Sequence, residues 1–216
     1  MKYSTGSYSV GIGNMALGYN QFNYNVGIGD LALRNLTYGR YNTAIGGLNT
    51  GVCMTTGCYN TLLGAEAGQT ITTGSKNTHI GARAGLGICN PNSIVAVGYK
   101  ALGNASNWMY NNGIQYRNGY QSTAIGTRAA EFQGGGEKNI AIGNYALQGR
   151  YFTTRCSVNN IAIGYKALTC ATATYENVVI GNCAGYHMTE AYNNTVVGNR
   201  SMHSTTYGGH NTAVGY

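Results

Sequence analysis

Charged side chains are scarce in this chain of 216 residues. Lys and Arg together number 13, Asp and Glu number 6, and charged residues make up 9% of the sequence. A monomeric globular domain usually carries about a quarter charged residues. The low charge therefore favours hydrogen-bonded stacking or a large protein–protein interface over an ordinary solvated surface.

The scarcity of carboxylates weighs against catalysis. Glycosidases use paired carboxylates, and Ser-His-Asp enzymes need an acidic residue that orients the histidine. Here Asp30 is the only aspartate, it has no histidine near it in sequence, and the glutamates are dispersed. Glu131 and Glu137 flank a glycine-rich stretch that is typical of a turn. We therefore predict no catalytic residues, no enzyme activity and no cofactor.

Long apolar runs and paired cysteine motifs are also missing. No segment has 18 consecutive apolar residues, so no membrane span is predicted, and the N-terminal stretch lacks a signal-peptide core. Among the six cysteines, only Cys183 comes near zinc-ligand spacing, with His187, and no metal site is predicted. Disulfides in an oxidising compartment and free buried thiols both remain open.

What the chain does contain is one phrase repeated along its length, such as "NIAIGNYAL" at 139–147 and "NIAIGYKAL" at 160–168. Aligning the copies on their glycine, numbered position 0, gives twelve copies, most of them 17 residues apart. Position −4 is Asn in nine copies, and position +3 is Ala in nine of eleven. The aligned glycines are Gly13, Gly29, Gly46, Gly64, Gly81, Gly98, Gly126, Gly143, Gly164, Gly181, Gly198 and Gly215. Such a period predicts a repeat architecture.

The residues before each glycine have the alternation of a β-strand. Positions −3 and −1 are Val, Thr, Ile or Leu and point the same way, whereas position −2 points the other way and is usually small. We predict that position −1 is the structural core of every coil. These core residues are Ile12, Ile28, Ile45, Leu63, Ile80, Val97, Ile125, Ile142, Ile163, Ile180, Val197 and Val214.

A period of 17 residues is too short for a strand, a helix and two turns, but it fits one coil with two short strands. The sequence therefore predicts an all-β fold, a β-solenoid or β-roll of about twelve coils, each of which pairs with its neighbours. We expect a single solenoid over 1–216. The aligned Asn side chains are expected to form a ladder, and the glycine to allow a bend or a close backbone approach.

One insertion interrupts the repeat, a loop predicted at 103–120. It contains Trp108, Tyr110, Tyr116, Arg117 and Tyr120. Aromatic rings and amides suit sugar binding, so these residues are candidate ligand-binding residues. The alternative is that the aromatic rings pack back onto the coil or onto a neighbouring subunit.

Position +2 is basic in five coils, which predicts a basic ladder along one edge: Arg83, Lys100, Arg128, Lys166 and Arg200. Such a ladder could bind an acidic polysaccharide, or like charges could keep neighbouring edges apart. Thirteen Lys and Arg make no dense patch despite a net charge of +7, so nucleic acid is not a predicted partner.

The phrases "NTAIG" at 42–46, "NIAIG" at 160–164 and "NTAVG" at 211–215 resemble the repeats in the heads of trimeric autotransporter adhesins. They are still more similar to repeats of tail-fibre-like extracellular fibre proteins. The resemblance implies a β-roll with three chains around one axis, a surface fibre or attachment role, and no catalytic residue. The adhesin repeat is shorter and has Ser where this chain has Ala at +3.

These observations predict a structural fibre subunit, located extracellularly or on a virion surface, whose main partner is itself. The chain begins inside a repeat and stops after a strand, so we expect end-to-end assembly or continuation in a longer fibre. A glycan-binding adhesin or tail-fibre receptor-binding module is the alternative, with cell-surface polysaccharide as its partner. An ice-binding solenoid would need a regular Thr array, but position −3 varies between Thr43, Val95 and Ile140.

Overall fold

The computed structural model describes residues 7–103, 121–132, 136–149 and 157–216. These residues form a β-solenoid of short parallel strands, with no helix among them, which confirms the predicted fold class. The strands are β1 (Val10–Ile12), β2 (Val26–Asp30), β3 (Thr43–Leu48), β4 (Thr61–Leu63), β5 (Thr78–Ile80), β6 (Val95–Val97), β7 (Thr123–Ile125), β8 (Ile140–Ile142), β9 (Ile161–Ile163), β10 (Ala173–Tyr175), β11 (Val178–Ile180), β12 (Glu190–Tyr192), β13 (Thr195–Val197), β14 (Tyr207–Gly209) and β15 (Thr212–Val214).

The main sheet contains twelve strands, in the order β1-β2-β3-β4-β5-β6-β7-β8-β9-β11-β13-β15. Each strand pairs in parallel with the equivalent strand of the next coil at positions −3, −2 and −1, as when Ala141 lies opposite Ala162. Even across the predicted insertion, Ala96 of β6 lies opposite Ala124 of β7. The repeat register inferred from the sequence is therefore the pairing register of the sheet.

The second strand of each coil is regular only near the C-terminus. There β10, β12 and β14 form a three-stranded parallel sheet. In the earlier coils the equivalent segments are turns and bends, with an isolated bridge between Ser75 and Asn92. Position −7 is Gly39, Gly57, Gly74 or Pro91 in four of these coils and Phe22 in the coil of β2, and neither glycine nor proline favours a strand. The expectation of two strands in each coil thus holds for only part of the chain.

The interior of the solenoid is lined by the small face of the main sheet. Position −2 is fully buried in most coils, as at Ala44, Ala96, Ala141 and Ala162. Alanine at +3 and apolar side chains at +4, such as Leu147, complete this interior. A 17-residue coil encloses little space, so the small side chains fit inside.

The prediction that position −1 is the core of the chain is wrong, because this position lies on the outside of the main sheet. Leu63 is 45% exposed and Ile125 is 39% exposed in the single chain. The residues concerned, all exposed or half-buried, are Ile12, Ile28, Ile45, Leu63, Ile80, Val97, Ile125, Ile142, Ile163, Ile180, Val197 and Val214. Strand alternation separates two faces but does not say which face turns inward.

The repeated glycine and asparagine have the structural roles expected from the sequence. Gly126 has φ +131°, and a Cβ on it would lie 2.7 Å from the carbonyl carbon of Gly143 in the next coil, so a larger residue is excluded. The buried Asn177 donates from Nδ2 to the Oδ1 of Asn160, and its own Oδ1 accepts from Asn194. This Asn ladder runs through two blocks, 25–77 and 139–211.

Candidate functional site

The predicted ligand-binding residues of the insertion lie outside the described part of the chain. They are Trp108, Tyr110, Tyr116, Arg117 and Tyr120, all within 104–120. Candidate surfaces are therefore drawn from the regular coils.

The first candidate surface is the outer face of the main sheet, formed by positions −3 and −1 and named here the outer aliphatic face. In β8 these positions are Ile140 and Ile142, exposed by 38% and 36%. Neighbouring strands of the sheet lie about 4.8 Å apart, so the outer aliphatic face consists of two straight rows of apolar and threonine side chains, one at position −3 and one at position −1. A contiguous exposed apolar surface of this kind is typical of an interaction site.

The second candidate surface is the edge that carries the predicted basic ladder. Backbone hydrogen bonds join position +2 of one coil to position +1 of the coil before it, as in Arg128 N–H to Tyr99 O and Lys166 N–H to Asn144 O. The five basic residues have left-handed backbones, with φ between 54° and 60°. The structure therefore aligns Arg83, Lys100, Arg128, Lys166 and Arg200 along one edge.

Several of these basic groups lie beside tyrosine rings. Lys100 Nζ is 5.5 Å from the ring centroid of Tyr99, and Lys166 Nζ is 5.2 Å from that of Tyr165. Arg128 Cζ is 5.9 Å from the ring centroid of Tyr145. These distances permit cation–π attraction.

Two of the arginines also have acidic partners. Arg83 Nε donates to Glu66 Oε2 at 2.7 Å, and this interaction raises the pKa of Arg83. Arg128 Nε lies 3.6 Å from Glu131 Oε2. Within the described ranges, Lys100 and Lys166 form no ion pair with a carboxylate.

A third surface is a column of tyrosines that the sequence analysis missed. Tyr8, Tyr24, Tyr41 and Tyr59 occupy position −5 of four successive coils, with ring centroids 5.1–5.4 Å apart and planes within 14° of parallel. The stacked rings cover one another's faces and expose their edges. The signal was in the sequence, because tyrosine stands five residues before the glycine in four consecutive copies.

Two buried titratable side chains interrupt the apolar interior. Burial lowers the pKa of His79 to about 4, and neither of its ring nitrogens has a hydrogen-bond partner. Burial also raises the pKa of Glu131, whose Oε2 accepts a hydrogen bond from Gln148 and whose Oε1 has no partner. The two groups are far apart in the chain and provide no acid–base pair.

The remaining reactive side chains are dispersed. Cys53, Cys58, Cys89, Cys170 and Cys183 have free thiols, and Cys156 lies outside the described residues. In the described ranges, no three His, Cys, Asp or Glu residues are grouped closely enough to hold a metal ion. No helix there has the length and apolar character that crossing a membrane requires.

Comparison with known proteins gives no assignment: no protein family, curated protein or solved structure matches this chain.

Proposed function

We propose that the chain is a structural subunit of an extracellular or virion fibre, in which coils stack along the axis and chains associate through the outer aliphatic face. The observation that carries the proposal is the exposed apolar surface along the twelve strands of the main sheet.

A second copy of the same chain is the partner that this face fits best. In each copy the apolar side chains of a row recur at the strand spacing of about 4.8 Å, so the rows of two copies stay in step over their full length. A partner without that period would match these side chains over only a short distance. Removing this apolar surface from water is favourable in proportion to its area. Three copies around one axis, as the resemblance to adhesin heads implies, would cover the face of each chain.

The internal bonding suits a load-bearing role. Backbone hydrogen bonds and the buried Asn ladder both run from coil to coil along the solenoid axis. Stacking copies end to end would extend the same parallel pairing. A chain bonded in this way transmits force along its axis without needing a large globular core.

Adjacent residues of β8 provide the test, by sedimentation velocity and negative-stain electron microscopy of purified protein. Ile142→Asp places a charge on the outer aliphatic face, and we expect a folded chain that no longer associates. Ala141→Asp places a carboxylate in the interior, and we expect an unfolded chain, because a buried unpaired charge costs several kcal/mol. Tyr207→Asp, which removes an exposed side chain from the second sheet, should leave association unchanged.

Two results would overturn the proposal. One is a wild-type chain that remains a monomer at high concentration and forms no fibres. The other is an Ile142→Asp variant that associates as the wild type does.

A glycan-binding adhesin or tail-fibre receptor-binding module is the alternative proposal. The exposed tyrosines of the basic edge and the lysines beside them favour it.

A further inference from the structure

The edge of the solenoid presents cations and aromatic rings side by side over several consecutive coils. We name it the basic–aromatic edge and define it by Tyr99, Lys100, Arg128, Tyr145, Tyr165 and Lys166. Tyr145 and Tyr165 lie edge to face with centroids 6.3 Å apart, so the rings of neighbouring coils are continuous. The backbone ladder fixes the spacing of these side chains along the axis.

We propose that the basic–aromatic edge binds a linear acidic polysaccharide that lies along the solenoid axis. This inference goes beyond the fibre proposal and does not depend on self-association.

The charges that such a ligand needs are in place. Lys100 and Lys166 have tyrosine neighbours and, in the described ranges, no carboxylate in ion-pair contact. Interaction with Tyr165 raises the pKa of Lys166, and a lysine ammonium is charged at neutral pH even at its ordinary pKa. The net charge of +7 adds a long-range attraction for a polyanion.

The neutral groups of the edge suit sugar rings. Tyr99 and Tyr165 are more than 40% exposed, so parts of their rings remain open to the C–H faces of a sugar. Asn144 and Asn182, at position +1 of the same edge, are exposed and offer amides to hydroxyl groups. Asn144 uses its Oδ1 to accept from Thr127 N–H, which orients the side chain.

The spacing of the cations favours a polysaccharide over a nucleic acid. Successive basic side chains lie one or two coils apart, which is about 5–10 Å at the strand spacing of a β-sheet. Duplex DNA carries one negative charge per roughly 1.7 Å of its axis, several times denser than this ladder. A chain of sugars with acidic groups on every residue or every second residue is the closer match.

Binding can be measured by affinity electrophoresis and titration calorimetry with sodium polygalacturonate and sodium hyaluronate. Uncharged dextran and a duplex oligonucleotide are the comparison polymers. We expect both acidic polysaccharides to bind, dextran not to bind, and the oligonucleotide to bind more weakly. Tighter binding of the oligonucleotide would overturn the assignment of ligand class, and binding of dextran would overturn the role of charge.

A matched pair of double variants tests the location. Lys100→Gln with Lys166→Gln removes two charges from the edge, and we expect affinity to fall by about tenfold or more in low salt. Lys76→Gln with Lys138→Gln removes the same charge from exposed left-handed positions at −5, and affinity should change by less than about twofold. Circular dichroism and melting temperature establish that both variants fold.

Equal losses in the two double variants would show attraction by net charge alone and would overturn the site. An unchanged affinity in the edge variant would mean that its two lysines do not bind the polysaccharide, and would overturn the proposal. Tyr165→Ala should weaken polygalacturonate binding several-fold while leaving the salt dependence unchanged, because the ring contributes contact rather than charge. An unchanged affinity would remove the aromatic part of the proposal.

Discussion

The coils before the insertion and the coils after residue 157 share one main sheet but differ on the opposite side. In two later coils position −7 carries a side chain, at Thr174 and Ala191, and lies in a strand; Gly208 of the last coil also lies in a strand. In the earlier coils position −7 is Gly39, Gly57, Gly74 or Pro91, with Phe22 in the coil of β2, and none of these residues lies in a strand. Both halves nevertheless make the same hydrogen bond at position −7. The side-chain amide of a ladder asparagine donates to the backbone carbonyl at −7 of the next coil, as Asn60 does to Gly74 and Asn177 to Ala191.

Two coils, one from each half, fill this part of the interior differently. Met54, three residues before Gly57, occupies the space that a side chain at −7 would take, with its sulfur 3.2 Å from the position of a Cβ on Gly57. In one later coil Ala171 is three residues before Thr174 and the size order is reversed, whereas in the next coil Met188 stands three residues before Ala191. Protein interiors keep close packing, so a large side chain at one position requires a small one at the other. The Asn ladder thus sets the stacking of coils, and the side chains at −7 and three residues before it share the space on the second side.

Among the changes that compare the two halves, the largest expected effect comes from adding a single methyl group in the earlier half. In Gly57→Ala the new Cβ would clash with the carbonyl oxygen of Gly74 and lie 3.0 Å from Asn60 Nδ2. We expect a loss of about 3 kcal/mol in the free energy of unfolding, because this backbone contact cannot relax easily. The reciprocal change in the later half, Ala191→Gly, should cost only about 1 kcal/mol. Urea unfolding of both variants measures the contrast, and equal losses would contradict the packing difference.

A pH-dependent loss of stability is expected from His79, which lies on β5 between the two buried apolar clusters of the described residues. Burial lowers its pKa in the folded chain to about 4, whereas an unfolded histidine titrates near 6.5. The unfolded state therefore binds the proton first, and stability falls as the pH drops below about 6.5. Between about pH 7.5 and about pH 5 the expected loss is roughly 2 kcal/mol.

His79→Leu is the control for that prediction. Leu62 occupies the equivalent position in the neighbouring strand, so leucine suits this face of the sheet. Urea unfolding at each pH should show that the variant loses less unfolding free energy on acidification than the wild type does. The difference between the two proteins is the contribution of His79. The same slope in both proteins would mean that other groups cause the acid sensitivity.

The sequence predicted the repeat register, the glycine contact and the Asn ladder because each rests on a residue type that few others can replace. It did not predict which strand face turns inward. Ile142 has more apolar surface than Ala141, which favoured an inward position for Ile142. The width of the coil decides instead, and Ala141 is the residue that faces inward. That width depends on backbone geometry at several corners, including left-handed residues such as Lys138 and Arg128 that carry no glycine signal. The alignment of basic residues was predictable, whereas their pairing with Tyr99 and Tyr165 depends on side-chain direction.

The tyrosine column distinguishes the first four coils from the rest. Tyr41 stacks between Tyr24 and Tyr59 with centroid separations of 5.1 Å on both sides. Tyr41→Ala should cost about 1.5 kcal/mol, because an aromatic pair contributes about 0.5–1.5 kcal/mol beyond its buried area. Gln121→Ala at the same corner of a later coil should cost less than about 0.5 kcal/mol. A Tyr24 and Tyr41 double-mutant cycle measures the ring–ring coupling, and a coupling of zero would show that the stack adds nothing to stability.

The smallest expected effect tests whether the −5 corner is the same in both halves. Lys76 in the earlier half has φ 60°, and Lys138 in the later half has φ 55°, both in the left-handed region that disfavours lysine. Asn159 and Asn193 already occupy this corner in other coils, and asparagine adopts the conformation more readily. Lys76→Asn and Lys138→Asn should therefore each raise the free energy of unfolding by about 0.5 kcal/mol. Equal gains in urea unfolding would show that the backbone at the −5 corner is the same in both halves, whereas a gain in only one half would mean that the corners differ.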